Sequence, residues 1–233
     1  MMKPIANVFL LLCLAIFIAP AMAAPQYVKL VYEATRDGKP FATVTETFSQ
    51  ENGRYKIESV TEGQGIYALF GKRILTSEGE VTAEGLKPSR FHLHRGDSPK
   101  KSLTANFDWA AGKLTMMVKG KPVTAPLQKN TQDLTSFVYQ FMFKQPNGQD
   151  FKLPVTTGKK LKTYHYKITG RDVPQQVPAG SFKTIHLINA DVEEPDDEKE
   201  LWLGAESHYL PVRLIAHDDG TKIEQRLTSI QVK

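Results

Sequence analysis

The sequence predicts a mainly β fold, in which a single curved antiparallel sheet forms a barrel or half-barrel around one α-helix. Short segments of alternating hydrophobicity recur along most of the chain and are separated by turn signals about every ten residues. Only residues 130–143 show strong helical periodicity. Because the strands lack crossover helices between them, parallel βαβ units are excluded.

The first 24 residues have the tripartite form of a secretory signal peptide. A basic start precedes an apolar run over residues 8–18, and an Ala-x-Ala sequence ends at Ala23. The apolar run is shorter than the roughly 20 residues that a membrane-spanning helix needs. We therefore expect export to the periplasm, cleavage near Ala23 or Ala24, and a single β-barrel-like domain over residues 25–233.

Cysteine content and charge exclude several classes of function. Cys13 is the only cysteine and lies inside the predicted signal, so the mature protein is expected to have no thiol for a disulfide, a nucleophile or a metal site. The whole chain has a formal net charge of +5, and loss of Lys3 with the signal leaves +4. That charge favours contact with anionic lipid or polysaccharide but is too small to indicate nucleic-acid binding.

Seven strands are predicted before the helix. Asp37-Gly38 and Asn52-Gly53 are hairpin turn signals, and the segments around them alternate apolar and polar residues. The apolar segment 63–71 fits either a short helix or an apolar loop tip. The predicted strands are 27–34, 41–48, 55–61, 72–77, 89–95, 102–109 and 113–118.

The predicted helix over residues 130–143 has a wide apolar face. Asn130 is the expected N-cap, Asp133 would place a negative charge in the first turn, and Pro146 soon ends the run. A helix this apolar among strands is expected to lie in the hollow of the sheet as a plug or lid. The residues with i, i+3, i+4 spacing are Leu134, Phe137, Val138, Phe141 and Met142.

Strands are again predicted after the helix, which makes ten to twelve in all. A single domain of this length is common among all-β proteins. The predicted segments are 160–169, 180–191, 199–203, 211–217 and 222–232.

Several short motifs resemble an exported bacterial family known as domain of unknown function 3108. They are TSEG at 76–79, LKPSRF at 86–91, FDW at 107–109, LKTY at 161–164, PAGSF at 178–182, ELWL at 200–203 and YLPVR at 209–213. The resemblance spans nearly all of the predicted mature chain and implies a strongly curved antiparallel sheet in the periplasm or on a lipoprotein. The last two motifs are also similar to half-barrels that carry lipoproteins and lipids across the periplasm. Neither resemblance implies a catalytic residue.

Aromatic residues are the strongest candidates for a binding site. One interpretation is that they interlock in a dry core. The other is that sheet and helix leave an apolar cleft for an acyl chain or an exposed protein segment. The candidate ligand-binding residues are Phe137, Phe141, Tyr164, Tyr166, Trp202 and Tyr209.

No metal or cofactor is predicted. His92 and His94 share one strand face and would need a third ligand such as His165 or His186, so a polar outer face is the simpler interpretation. The acidic run 193–198 lacks the spacing of a calcium loop and is interpreted as a solvated hairpin tip.

Pairs of lysines lie near predicted turns. Gathered at one end of the sheet they would form a basic rim for an anionic surface; otherwise they keep sheet edges soluble. The lysines of this hypothesis are Lys100, Lys101, Lys159 and Lys160.

The leading functional hypothesis is a non-enzymatic periplasmic envelope protein that binds a lipid or a hydrophobic client in the cleft. The alternative is a scaffold or assembly factor that docks an envelope protein through a sheet edge and basic loops. An unrecognised periplasmic hydrolase is the third possibility, because catalytic triads assemble across distant segments even though no catalytic motif is present. Charged residues and prolines within the strands disfavour an outer-membrane barrel.

Overall fold

A computed structural model describes residues 24–96 and 102–233. Residues 1–23 of the predicted signal peptide, which include Cys13, lie outside the described residues, as do Lys100 and Lys101. In the described part of the chain, fifteen strands form one sheet and one short α-helix accompanies it. The mainly β prediction is confirmed, with more strands than the sequence indicated.

The strands are β1 Tyr27–Arg36, β2 Lys39–Glu51, β3 Arg54–Gly63, β4 Arg73–Thr82, β5 Gly85–Arg95, β6 Leu103–Asp108, β7 Lys113–Val118, β8 Lys121–Pro126, β9 Gln132–Asp133, β10 Asp150–Thr156, β11 Leu161–Val177, β12 Gly180–Asn189, β13 Lys199–Gly204, β14 Pro211–Asp218 and β15 Thr221–Val232. The helix α1 is Ser136–Tyr139, and 3-10 helices include Gly65–Phe70, Gln140–Met142 and Pro195–Asp197.

The sheet consists of two meanders joined at the middle. Its order is β8 to β1 in reverse, then β15 down to β9, and every neighbouring pair is antiparallel except β9 with β10. The first and last strands meet at the centre, where Val28 is the register partner of Val232. Short turns suffice for such hairpins, and both central residues of the Asn52-Gly53 turn have positive φ, at 52° and 73°.

The sheet is curved but not closed by a ladder. β8 and β9 are its two edges. The β10–β11 turn packs instead on the β5–β7 region, where Thr156 Oγ1 lies 3.3 Å from Met116 Sδ. A Cβ on Gly158 would lie 3.2 Å from the Phe91 ring. Side-chain packing therefore covers the gap that backbone pairing leaves open.

Two hydrophobic clusters fill the fold. The main cluster joins β1–β3 and β10–β15 around the helix. The second cluster joins β4–β7 and includes Leu134 and Leu161 at its margin. The predicted helix therefore contributes to both clusters, although only its later residues are helical.

The predicted extent of the helix is wrong. α1 has only four residues, Ser136–Tyr139, and continues as the 3-10 turn Gln140–Met142. Asn130 has a φ of 61° and is not the N-cap. Residues Gln132–Asp133 pair with β10 instead, because parallel pairing satisfies their backbone groups before the helix can begin.

Asp133, two residues before the N-cap Thr135, supplies the capping oxygen that the sequence assigned to Asn130. Its Oδ1 accepts hydrogen bonds of 2.9 Å from the backbone N–H groups of Thr135 and Ser136. In return, the Ser136 hydroxyl accepts from the Asp133 N–H at 2.9 Å, as in a capping box. Oδ2 accepts from Ser77 of β4 at 2.6 Å, so the same carboxylate also ties the helix to the sheet.

The predicted burial of the helix in the hollow is confirmed. Phe137, Tyr139 and Phe141 are at most 5% exposed. The polar Ser136 and Gln140 are buried too, so this turn is covered on all sides rather than along a single apolar face.

The apolar segment 63–71 forms a short 3-10 helix, Gly65–Phe70, and also exposes apolar side chains. Tyr67 packs edge-on against Phe41 with ring centroids 5.6 Å apart. Ile66, Leu69 and Phe70 are at least 70% exposed.

The sequence did not indicate the edge strand β8 because Pro122 and Pro126 interrupt its pattern. Neither proline can donate a hydrogen bond to β7, so Met117–Pro122 and Lys113–Pro126 are non-hydrogen-bonded pairs. At these positions the backbone groups of β8 face away from β7. Two of the three outward-facing positions thus lack an N–H. The free edge of β8 is poorly suited to pairing with another strand.

Replacing Asp133 with Ala is expected to lower the free energy of unfolding by about 2–4 kcal/mol, because several buried donors lose their acceptor at once. Urea denaturation followed by circular dichroism measures the change. Asn130→Gly is the matched control, since glycine tolerates the positive φ, and it should change the value by less than about 0.5 kcal/mol. Equal losses in both variants would contradict the assignment of Asp133 as the cap.

Candidate functional site

A pocket of about 240 Å³ opens beside the end of the helical turn. It lies between the segment 140–147 that leaves the helix and strand β10. Phe141, Phe151 and Leu153 form its apolar wall. Its other lining residues are Lys129, Asn130, Gln140, Lys144, Gln145, Pro146, Asn147 and Lys152.

The apolar wall continues into the core through a row of aromatic rings. Phe141 meets Phe151 edge-on at 5.8 Å between centroids. Phe151 stacks on Tyr166 at 5.7 Å, and Tyr166 stacks on Phe137 at 6.4 Å. Such contacts hold aromatic side chains in fixed mutual orientation. The pocket therefore has a rigid floor.

Tyr164 and Tyr166 lie behind this floor. Tyr166 is fully buried, and its hydroxyl has no hydrogen-bond partner among the described residues. Burial raises the pKa of Tyr166 well above its ordinary value. The Lys199 ammonium lies 4.4 Å from the centre of the Tyr164 ring, and burial lowers the pKa of this lysine.

The structure brings together four of the six predicted ligand-binding residues. Phe141 lines the pocket, and Phe137, Tyr164 and Tyr166 form the core behind it. Trp202 lies on the strand face opposite Leu201. There it is sandwiched between the His186 ring at 4.3 Å and the Arg213 guanidinium at 4.4 Å.

Tyr209 lies in the β13–β14 connection with a φ of 56°, is half-buried, and does not line the pocket. A role in ligand binding stays a prediction for all six residues.

Sequence reasoning missed most of the pocket wall and its charged rim. Phe151 and Leu153 alternate with Lys152 in β10, but Pro154 hid this strand. The local signal was the apolar alternation at 151, 153 and 155.

The main chain of β10 is free at the pocket. Pro154 cannot donate to its partner Thr163, so this is a non-hydrogen-bonded pair. By alternation, the N–H and C=O of Lys152 also point away from β11. β9 pairs only with Val155 and Thr156 and does not reach Lys152. Lys152 therefore offers a backbone donor and acceptor at the pocket wall.

A half-buried carboxylate, that of Glu46, ties the helix to the opposite side of the sheet. Glu46 lies between Val44 and Phe48 on the inner face of β2. It accepts hydrogen bonds of 3.1 Å from the hydroxyls of Ser59 and Tyr139. Desolvation raises the pKa of Glu46, although these bonds and the Arg73 charge oppose the shift.

The histidines considered as metal ligands occupy separate outer positions. The rings of His92 and His94 are 6.1 Å apart. His165 lies 3.3 Å from both Asp150 and Asp191. In the described ranges, the group with metal-compatible spacing is instead an acidic one, formed by the half-buried Asp196 and the exposed Asp218 and Asp219.

His186 pairs with Glu200 at 3.0 Å. It lies on β12 beside β13, whereas His92 and His94 lie on β5 beside β4. The structure thus does not bring the proposed third ligand to His92 and His94.

The acidic run and the lysines near it interact with each other. Lys160 pairs with Glu194 at 3.3 Å, and Lys162 Nζ lies 2.5 Å from Asp197 Oδ2. Asp197 is buried, so the prediction of a solvated hairpin tip is wrong for this residue, because its ion pair and the Asn189 amide enclose it. Lys159 is exposed at the turn.

Comparison with protein families identifies the chain. The family model described as "Protein of unknown function (DUF3108)" matches residues 31–227. The chain belongs to the DUF3108 family. The match includes every strand from β2 to β14 and all of the residues that line the pocket, so the resemblance inferred from the sequence is confirmed. No curated protein matches this DUF3108 chain.

The DUF3108 chain is similar in fold to a beta-barrel-like protein of the domain of unknown function DUF1849 from Brucella abortus. The TM-score is 0.56 at 11% identity, over 90% of this chain and 98% of that chain.

A putative outer membrane lipoprotein-sorting protein domain from Vibrio parahaemolyticus gives a TM-score of only 0.27. Its identity is 7%, over 89% of this chain and 85% of that chain. A score this low does not establish a shared fold.

Among the residues that the structure describes, no helix has the length and apolar character needed to cross a membrane.

Glu46→Gln is expected to change how stability depends on pH. Folding raises the pKa of Glu46 above its unfolded value of about 4.5. The stability of the wild type relative to the variant should therefore be greatest below pH 4.5. Its stability should then fall relative to Glu46→Gln as pH rises through the folded pKa. Urea denaturation at a series of pH values measures this difference.

Glu58→Gln removes a carboxylate from the other face of β3 and serves as the control. Its pH dependence should parallel that of the wild type. If Glu46→Gln also paralleled the wild type across this range, the carboxylate would not be desolvated as the geometry indicates.

Proposed function

We propose that this DUF3108 protein is a non-enzymatic periplasmic protein that binds the apolar chain of a lipid or client in the pocket between the helical turn and β10. The observation that carries the proposal is the apolar wall of the pocket, formed by Phe141, Phe151 and Leu153 and continuous with the aromatic core. The periplasmic location rests on the predicted signal peptide.

The size of the pocket favours a slender ligand. Drug-sized and cofactor sites usually span roughly 300–1,000 Å³. At about 240 Å³ the pocket is smaller than these, so one acyl chain or one extended apolar segment fits better than a bulky ligand. Each methylene buried there would contribute about 0.8 kcal/mol.

The chemistry of the lining supports binding rather than catalysis. The residues that line the pocket are apolar residues, amides and lysines, without a hydroxyl, thiol, imidazole or carboxyl side chain. Catalysis by a hydroxyl or thiol nucleophile requires such a group next to a base, and neither group is among these lining residues. Gln140 cannot take part, because its amide is already bonded to the backbone of Glu84 and Leu86.

A scaffold function is the second candidate, and one observation favours it. Ile66, Leu69 and Phe70 expose apolar surface on the 3-10 helix Gly65–Phe70, and such patches commonly mark contacts with partners. Docking through the free edge of β8 is less favourable because Pro122 and Pro126 remove two donors from it. In-cell crosslinking from position 69 that traps one specific protein, together with an empty pocket, would favour the scaffold.

Phe151→Gln should weaken binding of a fluorescent fatty acid about tenfold or more, because a polar side chain replaces part of the apolar wall. Fluorescence titration of the purified mature protein measures the dissociation constant. Phe182→Gln is the matched control: this phenylalanine is also half-buried against the main cluster but lies on β12, outside the pocket. Its variant should bind like the wild type.

Native mass spectrometry of protein purified from the periplasm provides an independent test. A co-purifying lipid is expected. Absence of any bound lipid, combined with no binding of the fluorescent fatty acid, would overturn the carrier function.

A further inference from the structure

We propose that the ligand of this pocket is a single-chain amphiphile with an anionic head group, which the lysines at the rim and the free backbone of β10 hold. The inference rests on the proposed function, since it names the class of ligand for the same pocket. It is argued from the charges, the free hydrogen-bond donors and the size of the pocket.

Three lysines line the pocket, and no carboxylate is among the lining residues. Lys129, Lys144 and Lys152 all line the pocket and are exposed. Lys144 lies 3.9 Å from Glu84, a distant pair between two solvated side chains. Within the described residues, no ion pair involves Lys129 or Lys152. Such unbalanced charge attracts an anion.

The hydrogen-bonding groups at the rim match an anion. An ammonium group donates hydrogen bonds and cannot accept them, so three lysines favour a head group that only accepts. The backbone N–H of Lys152 adds a donor that does not titrate, because it points away from β11. Charge-assisted bonds to carboxylate or phosphate oxygens are stronger than bonds to a neutral hydroxyl.

The buried side-chain amide of Gln140 is not free to bind the head group. Gln140 Oε1 accepts from the Leu86 N–H at 2.6 Å, and its Nε2 donates to the Glu84 carbonyl at 2.9 Å. A Cβ at Gly85 would lie 2.5 Å from this amide, so the contact leaves no room for the amide to turn. Gln140 therefore closes the inner end of the pocket, and the lysines decide the head group.

The dimensions restrict the tail to one chain. The apolar wall has three side chains, and the pocket volume is about 240 Å³. A diacyl lipid would leave its second chain in solvent, where every exposed methylene makes binding less favourable. A fatty acid or an alkyl phosphate meets both requirements.

Isothermal titration calorimetry on the mature protein tests the inference with four probes of equal chain length, used below their micellar concentrations. These are dodecanoate, dodecyl phosphate, dodecanol and dodecyltrimethylammonium. At low ionic strength we expect at least one anion to bind about tenfold more tightly than dodecanol, and the cation to bind more weakly than the alcohol. The two anions distinguish a carboxylate ligand from a phosphate ligand. Added salt should reduce the advantage of the anion.

The variant that replaces Lys129, Lys144 and Lys152 with Gln should lose about tenfold in affinity for the anion and keep its affinity for dodecanol. The matched control replaces Lys29, Lys113 and Lys183 with Gln, which changes the net charge equally but leaves the pocket unaltered. This control should bind all probes like the wild type.

The outcomes separate the two proposals. Equal binding of dodecanol and both anions would overturn the inference and leave the proposed function intact. An equal loss of anion and dodecanol affinity in the pocket variant would also overturn it, because the lysines would then act only through the shape of the pocket. If none of the probes bound to the wild type, both proposals would fail.

Discussion

The fold depends on hydrogen bonds that fix a very short helical turn in the hollow of an open sheet. Asp133 receives the donors of the turn on one oxygen and Ser77 of β4 on the other, and Tyr55 lies 3.0 Å from the Ser77 hydroxyl. The side-chain amide oxygen of Gln140 accepts a hydrogen bond from the backbone N–H of Leu86, as the carbonyl of a neighbouring strand would. A four-residue helix is unstable alone, so these buried bonds and the surrounding core must hold it in place.

The same arrangement creates the pocket. Because β9 is only two residues long and pairs only with Val155 and Thr156, the edge of β10 that faces away from β11 is left unpaired at Lys152. The segment after Met142 runs away from this edge, and the space between them is the pocket. An incomplete sheet thus combines an apolar wall, free backbone groups and lysines in one place. A closed barrel would have paired that edge and removed the opening.

Much of the fold could be predicted from local pattern, whereas the helix and the pocket could not. Alternation and turn residues located most strands, since both act over a few residues. Leu134 was misleading because its position fits the helical spacing of Phe137 and Phe141. In the structure, Leu134 precedes the helix and packs against the second cluster. Trp202 was selected because it flanks the last hairpin loop; it is buried in the main cluster, but its strand places it between His186 and Arg213 and away from the pocket.

By itself the sequence determined a strand-rich meander with tight hairpins and one buried apolar segment, because residue periodicity and turn chemistry are local properties. Only the tertiary structure decided where the turn begins, which edge remains open and which lysines share a pocket. Those features depend on partners far apart in the chain, such as Asp133 with Ser77 and Gln140 with Leu86. No local pattern records such pairs, because their free energy arises only after the sheet has curved and excluded water around them.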